Sequence, residues 1–89
     1  MRKTKVHKNN SITIIGCGGF IGSHLLDRLL ATTDYRIIGI DLVSDKIARH
    51  LRNGNFTFKK TDMHDVGAVR PYIEQSGTVV LLAALCNPA

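Results

Sequence analysis

Eighty-nine residues at 9.8 kDa suffice for one small domain, and 44% hydrophobic with 21% charged residues is an ordinary globular balance, neither fibrous nor disordered. The net charge of +5 is concentrated in a leader: Arg2, Lys3, Lys5 and Lys8 lie in the first ten residues, while residues 11–89 carry eight Lys/Arg against seven Asp/Glu. Trp is absent, no apolar run approaches the ~18–20 residues of a bilayer span, and Cys17 and Cys86 are far apart in sequence, which excludes a multidomain enzyme, a membrane channel and a disulfide scaffold.

Residues 1–10 read as a basic disordered arm ahead of the first strand. The alternative is an arm that binds nucleic acid or an acidic partner, which the scarcity of stacking aromatics disfavours for single strands. The N-terminal segment does not read as a secretory leader, because the apolar stretch that follows the arm, Ile12–Ile15, is short and runs into glycines. A cytoplasmic, reducing setting with free thiols is expected. His7, His24, His50 and His64 are scattered without ligand spacing, so no metal site is expected.

Ile12-Thr13-Ile14-Ile15 is β-branched throughout and reads as a buried strand ending at Gly16. Ile21, Leu25, Leu26, Leu29 and Leu30 then recur at helical spacing and predict the core stripe of a helix, with Asp27 and Arg28 outward. Ile37-Ile38-Gly39-Ile40 predicts a second strand closed by Asp41. Ser44 is placed to cap a short helix bearing Ile47, Ala48 and Leu51, which Asn53-Gly54 would stop through a left-handed residue. Phe56-Thr57-Phe58-Lys59 alternates as a third strand. Val66, Val69, Tyr72 and Ile73 predict a third helix, either starting near Arg70 or kinked there, because an interior Pro71 loses one hydrogen bond. Val79 to Leu85 is apolar at every position, as in a strand covered on both faces. The order β-α-β-α-β-α-β is the N-terminal half of a doubly wound (Rossmann) α/β parallel sheet.

Between the first strand and its helix lies Gly16-Cys17-Gly18-Gly19-Phe20-Ile21-Gly22. Gly16 permits the sharp turn, a glycine at the helix entrance lets backbone approach a diphosphate, and Gly22 lets the helix pack closely. The helix N-terminus then faces the anion. Asp41 stands 19 residues after Gly22, near the ~20-residue offset of a carboxylate that hydrogen-bonds ribose hydroxyls. Such a carboxylate repels a 2′-phosphate and favours NAD over NADP. The competing reading of Asp41 is a loop-capping acid. No Gly-Lys-Ser/Thr follows the glycines, which rules out a mononucleotide P-loop. His24 reads as a helix-surface residue rather than a catalytic one, and Cys17 offers the turn its backbone N–H alone.

The run Ile14 to Leu25 resembles the Gly-x-x-Gly-Phe-Ile-Gly signature of extended short-chain dehydrogenases/reductases, the NAD-dependent epimerase/dehydratase family. The resemblance makes Gly16, Gly19, Phe20, Ile21 and Gly22 the cofactor turn and leaves Gly18 a variable position. It extends to Thr61-Asp62-Met63-His64-Asp65, where Asp62 would bond the adenine amino group and the Met63 backbone would contact the ring edge. It also covers Leu82-Ala83-Ala84, where small side chains let the cofactor lie against the sheet. Gly39-Ile40-Asp41-Leu42 and Leu82 to Ala89 look closest to UDP-glucuronate decarboxylases and UDP-apiose/xylose synthases, with Asn87 standing where Thr is expected.

The resemblance implies an enzyme that oxidises a UDP-sugar transiently at C4 with bound NAD, in a homodimeric parent. Tyr35 is followed four residues later by Gly39 and Tyr72 by Ser76, so neither supplies the family's catalytic Tyr-x-x-x-Lys pair. Residues 11–89 therefore read as a partial NAD-binding domain truncated before the catalytic and substrate-binding parts, with no catalytic residue of its own. A non-catalytic NAD-binding regulator is the other reading of the same cradle.

Overall fold

The computed structural model describes residues 10–82. Its elements run β1 (Ser11–Ile15), α1 (Phe20–Thr32), β2 (Arg36–Asp41), a 3-10 helix (Asp45–His50), β3 (Phe56–Lys60), α2 (Val66–Gln75) and β4 (Thr78–Leu81). The four strands form one parallel sheet in the order β3-β2-β1-β4. The chain moves outward from β1 through β2 to β3 and then returns to the other side of β1. That reversal puts the switch point of the sheet at the carboxyl ends of β1 and β4, the position where open α/β sheets take ligands.

The strand period of two sends alternate residues to opposite faces. Ile12 and Ile14 of β1 join Ile37, Phe56, Leu26 and Ile47 in a core under α1 and the 3-10 helix. Ile15, Ile40 and Val69 form a second core under α2, with Ile38, Met63 and Tyr72 packed against it. Ile14, Leu26, Ile40 and Ile47 are wholly buried, each contributing roughly 1.5–3 kcal/mol of transfer free energy. Thr13 is also wholly buried, and its hydroxyl is satisfied by the Ser76 hydroxyl and the Tyr72 carbonyl, tying β1 to the end of α2.

Several local expectations change. Ile21 is not in the α1 core stripe; it sits in the first turn, beyond the sheet, and is 64% exposed. The segment after Ser44 is a 3-10 rather than an α-helix, Ser44 makes no side-chain cap, and Gly16 alone among the described glycines has positive φ, so Gly54 is not a left-handed stop. The turn there is closed instead by Asn53 Oδ1 accepting the Asn55 N–H at 2.8 Å. Helix α2 starts at Val66, capped by Asp65 accepting from Ala68 N–H, and runs through Pro71. Pro71 and Gly67 are both exposed, so the carbonyl that proline cannot bond lies on the solvent side of the helix rather than in the core. Among the described residues β4 is the edge strand of the sheet: Val80 packs on the α1-face core, while Val79 and Leu81 are exposed. Residues 83–85 of that predicted strand, and the basic arm up to residue 9, lie outside the described residues.

Candidate functional site

The turn from β1 into α1 is built so that backbone, not side chain, forms its lip. Gly16 has φ of 98°, a left-handed value that a Cβ disfavours, and its N–H donates to the Ile40 carbonyl at 2.8 Å. Gly22, one helical turn in, presses on that same residue: a Cβ there would lie 2.2 Å from the Gly16 carbonyl oxygen and 2.8 Å from Cys17 Cα. Gly22 therefore packs α1 onto the turn itself rather than onto the sheet at large. Gly19 behaves oppositely. It is exposed, it is the helix N-cap, and an added Cβ would meet only the Gly16 oxygen, at an ordinary 3.6 Å.

The first helical hydrogen bond runs from Ser23 N–H to the Gly19 carbonyl at 2.9 Å. The N–H groups of Phe20, Ile21 and Gly22 precede it; no side chain caps the helix and no acid stands in its first turn. The lip thus presents uncapped N–H groups and the positive end of the α1 dipole around a bare Gly19, a cradle whose chemistry suits a diphosphate. Phe20 and Ile21 flank it, 69% and 64% exposed.

Asp41, the last residue of β2, stands at the mouth of this turn. Its Oδ2 accepts the Gly18 N–H at 2.9 Å, and Oδ1 accepts the N–H groups of Leu42 and Val43 at 2.6 and 3.3 Å. The carboxylate thus has the loop contacts of a capping acid, and it makes one of them to the glycine turn itself. Two carboxylate oxygens hold about four acceptor sites, so three backbone bonds leave capacity for a hydroxyl donor.

Gly18 is not free to vary in this chain, although the signature leaves its position open. A Cβ would fall 2.2 Å from the Val43 carbonyl oxygen and 3.1 Å from Asp41 Oδ2. Cys17 also differs from expectation, since its N–H is turned to the Ile40 carbonyl at 3.4 Å and away from the cradle. Its side chain is wholly buried in the α1-face core, and burial, with the Asp41 charge, pushes the thiol up to about 12.

The segment after β3 adjoins Asp41, because Thr61 N–H donates to the Asp41 carbonyl at 3.1 Å. Asp62 is exposed and accepts the backbone N–H of His64 at 2.9 Å and its Nδ1 at 3.1 Å. The His64 backbone bond, helped by the ring, holds the Asp62 carboxyl below its ordinary range. Met63 is half-buried against the α2-face core. Leu82 donates its N–H to the Ile15 carbonyl at 2.9 Å, and its side chain packs on the α1-face core. Ala83 and Ala84 lie outside the described residues. His24 turns Nδ1 to the Phe20 carbonyl of its own helix at 2.8 Å and its ring against Phe20.

A parallel sheet in this order, with a glycine turn and a helix N-terminus at its reversal point, defines the Rossmann class. The profile of the NAD dependent epimerase/dehydratase family matches residues 12–89, and the chain belongs to that family. It is similar to UDP-D-apiose/UDP-D-xylose synthase 1 of Arabidopsis thaliana, 32% identical over 85 residues that cover 89% of this chain and 22% of the relative. The UDP-D-apiose/UDP-D-xylose synthase of Oryza sativa subsp. japonica is 35% identical over 86 residues, 89% of this chain and 21% of the relative. Among solved structures, the PbgP3 protein from Burkholderia pseudomallei superposes with a TM-score of 0.78 at 26% identity, over 88% of this chain and 23% of that one. The chain spans about a fifth of the length of these proteins.

The geometric cluster that sequence reading missed joins Asp27 of α1 to Arg49 and His50 of the 3-10 helix. Twenty-two and twenty-three residues separate the partners, and no local pattern signals such a pairing.

Proposed function

We propose that this chain is the adenosine-diphosphate cradle of an NAD-dependent enzyme that processes UDP-sugars. In this reading the N–H groups of Phe20, Ile21 and Gly22 hold the diphosphate over Gly19, Asp41 accepts the ribose hydroxyls, and the Asp62–Met63 segment borders the adenine. The observation that carries it is the Asp41 carboxylate standing within one hydrogen bond of the glycine turn while the helix beside it is uncapped. Bound NAD would supply the hydride acceptor. This chain's own residues bind and orient, because neither Tyr35 nor Tyr72 is followed by a Lys four residues on. The UDP-sugar reading, with transient oxidation at C4, is supported by the relatives' names and by family membership. Cys17 is buried and makes no disulfide among the described residues, which supports the reading of a reducing setting.

Calorimetric titration of the chain with NAD, NADP and UDP-glucuronate tests this. Saturable NAD binding is expected, with weaker NADP and no heat from the UDP-sugar alone. Saturable UDP-glucuronate binding without NAD binding would overturn the assignment.

A further inference from the structure

One side-chain cluster takes no part in the site above. Asp27, two turns into α1, accepts from Arg49 through Oδ2 at 2.6 Å and from His50 Nε2 through Oδ1 at 2.5 Å. Both partners belong to the 3-10 helix. We propose that Asp27, Arg49 and His50 form a positioning clamp that fixes the ribose-side loop against the diphosphate-side helix. The proposal rests on the NAD reading of the glycine turn and Asp41.

The connectivity is what makes the cluster more than a surface ion pair. Helix α1 carries the cradle's N–H groups at one end and Asp27 in its middle. The 3-10 helix begins four residues after Asp41, so Leu42-Val43-Ser44 is suspended between the Asp41 carboxylate and the clamp. Within that span the Val43 carbonyl lies so close over Gly18 that no Cβ fits between them. A small displacement of the 3-10 helix is therefore transmitted to the Gly18–Asp41 hydrogen bond.

The 3-10 helix has two attachments of different kinds. Ile47 is wholly buried in the core that also holds Leu26, an apolar anchor without directional preference. The clamp supplies direction, because charge-assisted hydrogen bonds hold donor and acceptor to a narrow geometry. Each Asp27 oxygen takes one partner, and the His50 side chain is only 16% exposed. Apolar burial keeps the 3-10 helix on the molecule; the clamp sets its rotation and hence the height of the loop.

The test is the chain itself, with Asp27→Ala, His50→Ala and the conservative His50→Gln, whose amide can still donate to Asp27. Loss of the clamp spreads the loop over positions that do not bind, and apparent NAD affinity falls with the competent fraction, by about threefold to tenfold. Calorimetry is expected to show that fall in both alanine variants together with a reduced NAD-to-NADP preference, and His50→Gln is expected to recover most of both. In proton–nitrogen spectra without cofactor, the Gly18, Leu42 and Val43 amide resonances are expected to move in the alanine variants. Should Asp27→Ala fail to fold, Asp27→Asn, which keeps the size and loses the charge, reads the same resonances.

Unmoved resonances and an unchanged NAD-to-NADP ratio, with only a lower melting temperature, would make the cluster a structural tether and overturn the proposal. Absence of NAD binding by the unaltered chain would instead overturn the cofactor reading, while the three amides would still report whether the mechanical link exists.

Discussion

Replacing Gly22 by alanine separates the packing role of the glycine turn from its ligand-facing role. The new Cβ would stand 2.2 Å from the Gly16 carbonyl oxygen, 2.8 Å from Cys17 Cα and 3.0 Å from the Gly16 carbonyl carbon. All three are backbone atoms, so no rotamer change relieves the contact; the start of α1 must withdraw by about an ångström. Overpacking of this kind costs about 3 kcal/mol at the upper end, offset by about 1 kcal/mol of helix propensity. A net loss of about 2 kcal/mol lowers the melting temperature of so small a domain by roughly 8–16 °C. Gly19→Ala is the control. Its nearest neighbour is at 3.6 Å, and the loss of a glycine N-cap costs no more than about 1 kcal/mol. Thermal unfolding followed by circular dichroism is expected to show the large drop in Gly22→Ala and a small one in Gly19→Ala, while NAD titration shows Gly19→Ala weakened by the methyl group on the cradle floor. A Gly22→Ala chain that melts with the unaltered one, or a Gly19→Ala chain that falls as far, would refute this division.

Asp41→Ala removes the acceptor for three loop N–H groups and is expected to destabilise the chain by about 1–2 kcal/mol. In calorimetry it should also narrow the preference for NAD over NADP. The hydrogen bond from His50, followed by the Arg49 and His50 charges, holds the Asp27 carboxyl below its ordinary range. A depressed folded value means stability that is present above the unfolded carboxylate range and is lost as pH falls through the folded value. Melting temperatures of the unaltered chain and Asp27→Asn should therefore differ at pH 7, begin to converge as pH falls below the ordinary carboxylate range of about 4 and meet only below the folded value; a gap that stays constant to pH 2 would contradict the assignment. With its thiol pushed up to about 12, Cys17 carries roughly a thousandfold less thiolate than an unperturbed cysteine. In a Cys86→Ser background it should resist alkylation at pH 8 until denaturant is added, and rapid labelling of the folded chain would show the burial to be wrong.

The strands and the glycine turn were legible because their signals are local. Ile12–Ile15 and Ile37–Ile40 declare themselves by β-branching, and Gly16 to Gly22 by spacing. The parallel order followed from the short helical crossovers, and the structure has it. What stayed hidden depends on tertiary placement. Ile21 has the periodicity of a core residue, yet it falls in the first turn, past the end of the sheet it would pack on. Gly54 had the composition of a left-handed stop, but the Asn53 side chain closes that turn instead. Gly18 occupies an unconstrained place in the signature and is nevertheless fixed here, because Val43 folds back across it. For Asp41, spacing indicated a carboxylate near the turn; only coordinates reveal that it also fastens the Gly18, Leu42 and Val43 amides.

Titration of the isotope-labelled chain with NAD, followed amide by amide, bears most directly on the cradle. Saturable shifts concentrated at Gly18 to Gly22 and at Asp41 to Val43, absent with nicotinamide alone, are the predicted result. Saturation with shifts confined to other parts of the sheet, or no shift at millimolar NAD, would contradict the account.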